Sequence, residues 1–392
     1  MDIRSYFDPI DIPRPQVNDE TLIREKFGDR VVAFTDPGNF PDYSDCDIAI
    51  IGVPEDRFAI SNDGCALAPD PVRMQLYELY PGSYIPRVAD LGNLKRGFEV
   101  NDTYFALSEV IATLLKQEII PLVIGGSQDL TYANYLAYES LGQIINIVAV
   151  DHSFDLGKSE EDMNAGSYLS RIILHQPNYL FNFANIGYQT YFSDQDAIRL
   201  MKNLFFDALR LGKVRQSIEE VEPIVRNADI LSFDISSIRF SDAPGCGRTT
   251  PNGFYGEEAC QIVRYAGMSD KLTSIGFYEM NPRFDTRNQT ALLVAQMIWY
   301  FFDGFYNRKH DFPFTNPDDY VVYRVPITDH KEEIVFYKSR KSDRWWMEVP
   351  LQSEMKVKYL RHYLVPCSYQ DYQTACSNDV PDRWWMVCQK LM

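Results

Sequence analysis

Three short apolar runs, each emptying into small and acidic residues, constrain this chain more than any other feature. Ile119 to Ile124 leads into Gly125, Gly126, Ser127, Gln128 and Asp129. Ile147 to Val150 leads into Asp151, His152, Ser153, Phe154 and Asp155, and Ala228 to Phe233 into Asp234, Ile235, Ser236 and Ser237. Runs of this length and β-branched content predict strands buried on both faces, the condition of a parallel sheet covered by helices. Strand and helix patterns alternate around them, as βαβ units require: the strand Asp47 to Val53, the strand Val88 to Leu94 and the amphipathic helix Asp102 to Gln117 precede the first run. In open α/β sheets ligands gather at the carboxyl ends of strands, so Asp151, Asp155 and Asp234 read as candidate site residues.

Length and composition bound the rest. At 392 residues the chain predicts one large α/β domain with an appendage, and 45% hydrophobic content argues against disorder. A net charge of -17 argues against nucleic-acid binding, which needs clustered Lys and Arg to neutralise phosphates. No apolar stretch reaches the roughly 20 residues that span a bilayer; the aromatic-rich segment 291–307 is interrupted by Asp303 and Gly304. The opening MDIRSYFDPIDIP lacks a signal-peptide pattern, and seven widely spaced cysteines without a CxxC predict a reduced, cytoplasmic protein.

The GGSQD, DHSFD and SFDIS strand ends, in that order, resemble the ureohydrolases: arginase, agmatinase and formimidoylglutamase. In that family the motifs read roughly GGDHS, DAHxD and SxDxD and supply the ligands of a two-manganese centre. This sequence keeps Asp151, Asp155 and Asp234, but carries Gln128 and Ser153 where the family has histidines and Ser236 where it has an aspartate. The resemblance implies one metal position seen by Gln128, Asp151, Asp155 and Asp234, and a second seen by Asp151, Ser153, Asp234 and Ser236. Hydroxyls replace imidazole and carboxylate poorly on a transition metal, whereas the first position keeps an all-oxygen set suited to Mg²⁺, Ca²⁺ or Mn²⁺. His152 is a substitute imidazole only if the backbone kinks, because successive strand residues point to opposite faces; its expected place is behind the site.

The family pattern implies a three-layer α/β/α fold with a mainly parallel sheet over residues 46–308, between a lead-in over 1–45 and an extension over 309–392. It also implies pocket residues: Glu279, in EMNP, meets the amidine end of substrate, and Asn164 and Ser167 line a substrate loop, although a turn and helix cap explains those two as well. Ser153, Ser236 and Arg239 complete that pocket. Ala243 to Gly247 and Pro251 to Gly253 match the family's Gly/Pro-rich loop, within which Cys246 reads as a buried thiol, not a nucleophile. His175 has no family counterpart. Three converging carboxylates cannot all stay charged without compensation, so a cation, a protonated carboxyl, or a guanidinium from Arg57 or Arg239 is expected among them.

The ligand losses predict a degraded site with no metal cofactor and a catalytically silent fold used for binding or assembly. The alternative is a hydrolase of linear amidine or guanidine C–N bonds, running on one residual Mn or Mg ion. The extension repeats Asp343, Arg344, Trp345, Trp346 and Met347 as Asp382, Arg383, Trp384, Trp385 and Met386. Its tryptophans read either as the core of an appended module or as a surface for a protein partner or self-association. Oligomers are common in the family, and a small amidine-like ligand is the other partner it implies.

Overall fold

The structure is a computed structural model and describes residues 2–12, 25–82, 86–157, 162–312, 316–328, 333–351 and 356–391. Among the described residues fourteen strands follow one another: β1 (Phe7–Asp8), β2 (Val32–Ala33), β3 (Ile48–Val53), β4 (Val88–Leu94), β5 (Ile120–Gly125), β6 (Ile145–Val150), β7 (Leu180–Tyr188), β8 (Asp207–Arg210), β9 (Ile230–Asp234), β10 (Ser274–Tyr278), β11 (Tyr320–Pro326), β12 (Glu333–Ser339), β13 (Trp345–Glu348) and β14 (Leu364–Cys367). The first ten form one sheet, ordered β1-β4-β3-β5-β10-β9-β6-β7-β8 with β2 also on β4. All its pairings are parallel except β1 with β4.

Strands β3, β5, β6, β9 and β10 are buried along their whole length, which explains why they read as continuous apolar runs. Two separate apolar cores flank the sheet. Helices Pro69–Glu78, Gly256–Gly267 and Gln289–Tyr306 pack on one face, and Val100–Leu115, Leu130–Ser140 and Tyr168–Leu174 on the other, giving the expected three layers. The 1–45 lead-in contributes β1 and β2 at the sheet edge. Within the lead-in, Phe27–Asp29 forms a single 3-10 turn.

The extension folds as an antiparallel meander, β11-β12-β13-β14, with helices Tyr369–Cys376 and Asp382–Leu391 against it. Trp345, Trp346 and Trp384 are buried and only Trp385 is substantially exposed, so most of the tryptophan fills the module's core. Its apolar core takes in Phe181 and Ile144, at the amino ends of β7 and β6. The module therefore covers the end of the sheet opposite to DHSFD.

Candidate metal centre

The order β5-β10-β9-β6 sets four adjacent strands side by side, and the chain leaving each of them delivers one side chain to one place: Gln128 after β5, Glu279 after β10, Asp234 at the end of β9 and Asp151 after β6. Val150 lies opposite Phe233, so Asp151 and Asp234 emerge next to each other. Gly126 allows the close turn at β5, since a Cβ there would stand 1.7 Å from the Glu55 carbonyl oxygen. Asp155 and Glu279 hold positive φ values of 50° and 68°, a conformation uncommon for acidic residues and concentrated at functional sites.

The outer amide atom of Gln128 lies 3.0 Å from Asp155 Oδ2, 3.0 Å from Asp234 Oδ2 and 3.2 Å from Asp151 Oδ2. The amide's nitrogen and oxygen fill the same envelope. With nitrogen outermost, Gln128 donates hydrogen bonds to the carboxylates. With oxygen outermost, it stands among three carboxylate oxygens at about 3 Å, the separation of right-angle neighbours on an ion with bonds near 2.1 Å. The residues present therefore fit a hard divalent cation.

The second oxygens of these aspartates face elsewhere. Asp151 Oδ1 accepts from the Ser153 amide at 3.0 Å, Asp155 Oδ1 from the Ser153 hydroxyl at 2.8 Å, and Asp234 Oδ1 from the Ser236 amide at 2.6 Å. Glu279 Oε1 accepts from the Gln128 amide N–H at 2.8 Å and Oε2 from Asn62 Nδ2 at 2.7 Å. Asp151, Asp155, Asp234 and Glu279 are all buried, and among described residues only His152 comes within ion-pair distance of any of them. Burial, reinforced by the neighbouring acids, pushes Asp151, Asp234 and Glu279 up to about 7 and Asp155 well above its ordinary value.

Residues 46–303 match the profile of the Arginase family. The chain belongs to the arginase family. It is 27% identical over 266 residues to formimidoylglutamase of Staphylococcus aureus, covering 65% of this chain and 85% of that one. In solved structures the fold resembles Trypanosoma cruzi formiminoglutamase with Mn²⁺, at TM-score 0.63 and 20% identity over 69% of this chain and 100% of that one. It also resembles Bacillus subtilis formimidoylglutamase, at TM-score 0.67 and 20% identity over 77% and 98% of the two chains. Both structural likenesses stop short of the whole chain.

Against the arginase-family expectations, the structure brings Gln128, Asp151, Asp155, Asp234, Glu279, Ser153 and Ser236 together. Asn164 and Ser167 bond mainly to each other and to the Gly166 amide in a turn before the helix Tyr168–Leu174. It is Tyr168, next in sequence, that reaches the centre, its hydroxyl 3.4 Å from Gln128 Nε2. Arg239 is a correction: its Nε donates to Asp242 at 2.8 Å and its guanidinium lies over the Tyr255 ring, on an outer groove with Trp299. Arg57 is likewise spent on Glu55. Neither is the counter-ion of the aspartates.

The guanidinium that acts on them at longer range, without an ion pair, is that of Arg248, in the Gly/Pro-rich loop. Burial alone would lower its pKa, but the attraction of Asp155, Asp234 and Asp151 outweighs this and raises it. Its side chain makes no hydrogen bond or ion pair with any described residue. Gly247 seats the loop, its N–H donating to Asn62 Oδ1 at 2.8 Å, so Asn62 ties Glu279 and Arg248 into one frame. The legible signal for Arg248 was its place immediately after APGCG. His175 stands apart, between Tyr132 and Glu139 on the helical layer.

His152 is the second correction. The strand ends at Val150, the alternation of faces ends with it, and the following bend turns the imidazole toward Asp151 and Asp234. Its Nδ1 lies 3.0 Å from Asp151 Oδ1 and 2.9 Å from Ser236 Oγ, and its ring meets Phe192 edge-on. Burial lowers its pKa despite Asp234.

Proposed function

We infer that this protein is a metal-dependent hydrolase of a linear amidine C–N bond, with an N-formimidoyl amino acid as its first candidate substrate. The observation that carries this reading is the convergence of four buried carboxylates without an ion-pairing Lys or Arg among the described residues. Burying unpaired carboxylates is costly, so a fold that keeps them together is built around a cation it receives. A divalent ion bound there supplies a Lewis acid and lowers the pKa of water toward neutrality.

The chain's own residues divide the remaining work. Asp151, Asp155 and Asp234, with the Gln128 amide oxygen, hold the ion. Glu279, fixed by Asn62 and the Gln128 N–H, presents negative charge to an amidinium. Arg248, with its fork uncommitted among the described residues, favours a substrate that carries a carboxylate beyond its amidine. The names of the arginase-family relatives support the same class of reaction. Seven free cysteines fit a reduced, cytoplasmic setting.

A second reading follows from the other orientation of Gln128. With its nitrogen outermost, the amide satisfies the aspartates itself and the fold is a metal-free, silent binding protein. One experiment separates the two: elemental analysis of purified protein before and after Mn²⁺ loading, then assays with N-formimidoyl-L-glutamate, agmatine and arginine. Retained ion and turnover of the first substrate are expected. No retained ion and no turnover leave the silent reading.

A further inference from the structure

The appended meander leaves one edge open. Strand β11 stands at the end of the order β11-β12-β13-β14, with Tyr320 opposite Ser339 and Pro326 opposite Glu333 of β12. The next turn shows which of its backbone groups face outward: the Ser339 N–H goes to the Arg344 carbonyl, toward β13, and the Arg340 N–H goes to the Asp319 carbonyl, both at 2.8 Å. Facing residues of an antiparallel pair alternate between exchanging both bonds and exchanging none. Val321, Tyr323 and Val325 therefore bond to β12, while Tyr320, Val322 and Arg324 turn N–H and C=O away from it. Pro326 agrees, because the N–H it lacks would also have pointed outward. Among the described residues no other backbone group bonds to these three. The other sheet edges are guarded. In the large sheet β1 and β8 are two and four residues long, and β14 lies against the helix Glu222–Arg226, with Arg226 donating to the Cys367 carbonyl at 3.3 Å. β11 runs seven residues without a bulge, and Val322 at its middle is 47% exposed. A long, unguarded edge is a template for another strand.

We propose that β11 is a self-association edge: it pairs antiparallel with β11 of a second copy across a two-fold axis at Val322, joining two meanders into one continuous sheet. The strand's own ends set the register. With Val322 opposite the partner's Val322, Tyr320 faces the partner's Arg324, and every outward-facing residue of both copies exchanges both bonds. Moving the axis to Arg324 sets Val322 opposite a proline, which has no N–H to give. Moving it to Tyr320 sets Val322 opposite Asp318, which belongs to the 3-10 turn Pro317–Asp319. The side chains suit the same register. Tyr320, Val322 and Arg324 share one face of the strand, so the axis is apolar and the exposed Arg324 comes beside the partner's Tyr320 ring, a cation against an aromatic face. β11 carries no acidic residue, so two copies of a chain with net charge -17 meet along a stretch free of acid. A second copy matches this register by symmetry, and a two-fold contact closes on itself as a pair and does not propagate as a fibre. The pairing is independent of the hydrolase reading, since the extension covers the end of the sheet opposite to the metal centre.

The test is the size of the full chain by sedimentation velocity over a concentration series, with single-cysteine substitutions to read the register. Wild type should sediment as an even-numbered assembly. Val322→Lys sets two ammonium groups face to face at the axis, at a position already exposed in the single chain. It should halve the assembly or raise its dissociation constant about tenfold or more, with the melting temperature of the dissociated chain unchanged. Facing α-carbons of a hydrogen-bonded pair stand about 5.5 Å apart, within disulfide reach. Val322→Cys should therefore form a linked dimer on mild oxidation, whereas Arg324→Cys, which faces the partner's Tyr320, should not; wild type, with its exposed Cys376, is the control. A wild type that stays a single chain at every concentration, or an odd-numbered assembly, overturns the pairing and leaves the edge to an extended segment of another protein. So does wild-type behaviour of both Val322→Lys and Val322→Cys. Linking of Arg324→Cys as readily as Val322→Cys overturns the register.

Discussion

The same strands end in two differently charged environments. At their amino ends, where the extension docks, buried charge is paired: Arg361 with Asp229, Arg226 and Arg344 with Glu222, and Arg383 with Glu220 and Asp371. Lys271 and Lys390, lowered to about 8 by burial, still donate to Asn227 and Asn182. At their carboxyl ends, acids face acids, with His152 against one of them and Arg248 as the nearby guanidinium. Matched charge joins two parts of one chain permanently. Unmatched charge of one sign persists where something of the opposite sign is to be bound and released.

The largest effect that would break this contrast is at the docked end. Arg226 is buried, donates to Glu222 and to the carbonyls of Trp345 and Cys367, and lies 4.3 Å over the Trp346 ring. Arg226→Ala would leave Glu222 with Arg344 as its partner but two buried carbonyls without one and Trp346 without the guanidinium over its ring, and should cost about 3 kcal/mol in urea unfolding. Arg226→Met, which refills the volume, should recover part of it. A neutral Arg226→Ala would mean that apolar packing alone holds the extension.

At the other end the sign reverses. Asp155→Asn removes one member of a repelling group, so the metal-free variant should melt above wild type, while Mn²⁺ affinity falls by about 100-fold. Calorimetry with and without Mn²⁺ checks both arms. A metal-free variant that melts lower would show Asp155 to be held by hydrogen bonds from Ser153 and Gln128 more than it is repelled by Asp151.

The sheet and its site were legible because buried parallel strands write themselves as apolar runs, and strand ends place their first residues together. Asp151, Asp155 and Asp234 followed from that, whereas Glu279 came only from the resemblance of EMNP to a family motif. The misreadings arose where the strand rule stops. His152 was assigned to the rear by an alternation that ends at Val150, and Arg239 to the mouth although Asp242, three residues later, and the Tyr255 ring capture it. Arg248 and Tyr168 come from loop and helix starts whose direction depends on the tertiary ties of Gly247 to Asn62 and of Leu169 to Asp155, which no local pattern encodes. The docking place of the extension was not legible either, because it depends on pairs such as Arg361 with Asp229 far apart in sequence.

The remaining test is a slope against pH, and its sign is diagnostic. Asp151, Asp234 and Glu279 titrate near 7 in the folded, metal-free protein, against about 4 in an unfolded chain. Between pH 4 and 7 the native state binds more protons than the unfolded state, so stability falls as pH rises, by at most about 1.4 kcal/mol per pH unit for each extra proton, and levels off above 7. An ordinary ion-paired carboxylate gives the opposite slope. Mn²⁺ competes with those protons, so its stabilisation should grow over the same interval. Melting temperatures from pH 5 to 8, with and without Mn²⁺, should therefore diverge as pH rises. Parallel curves would mean that Gln128 and Arg248 already neutralise the acids, which would make the two ends of the sheet alike.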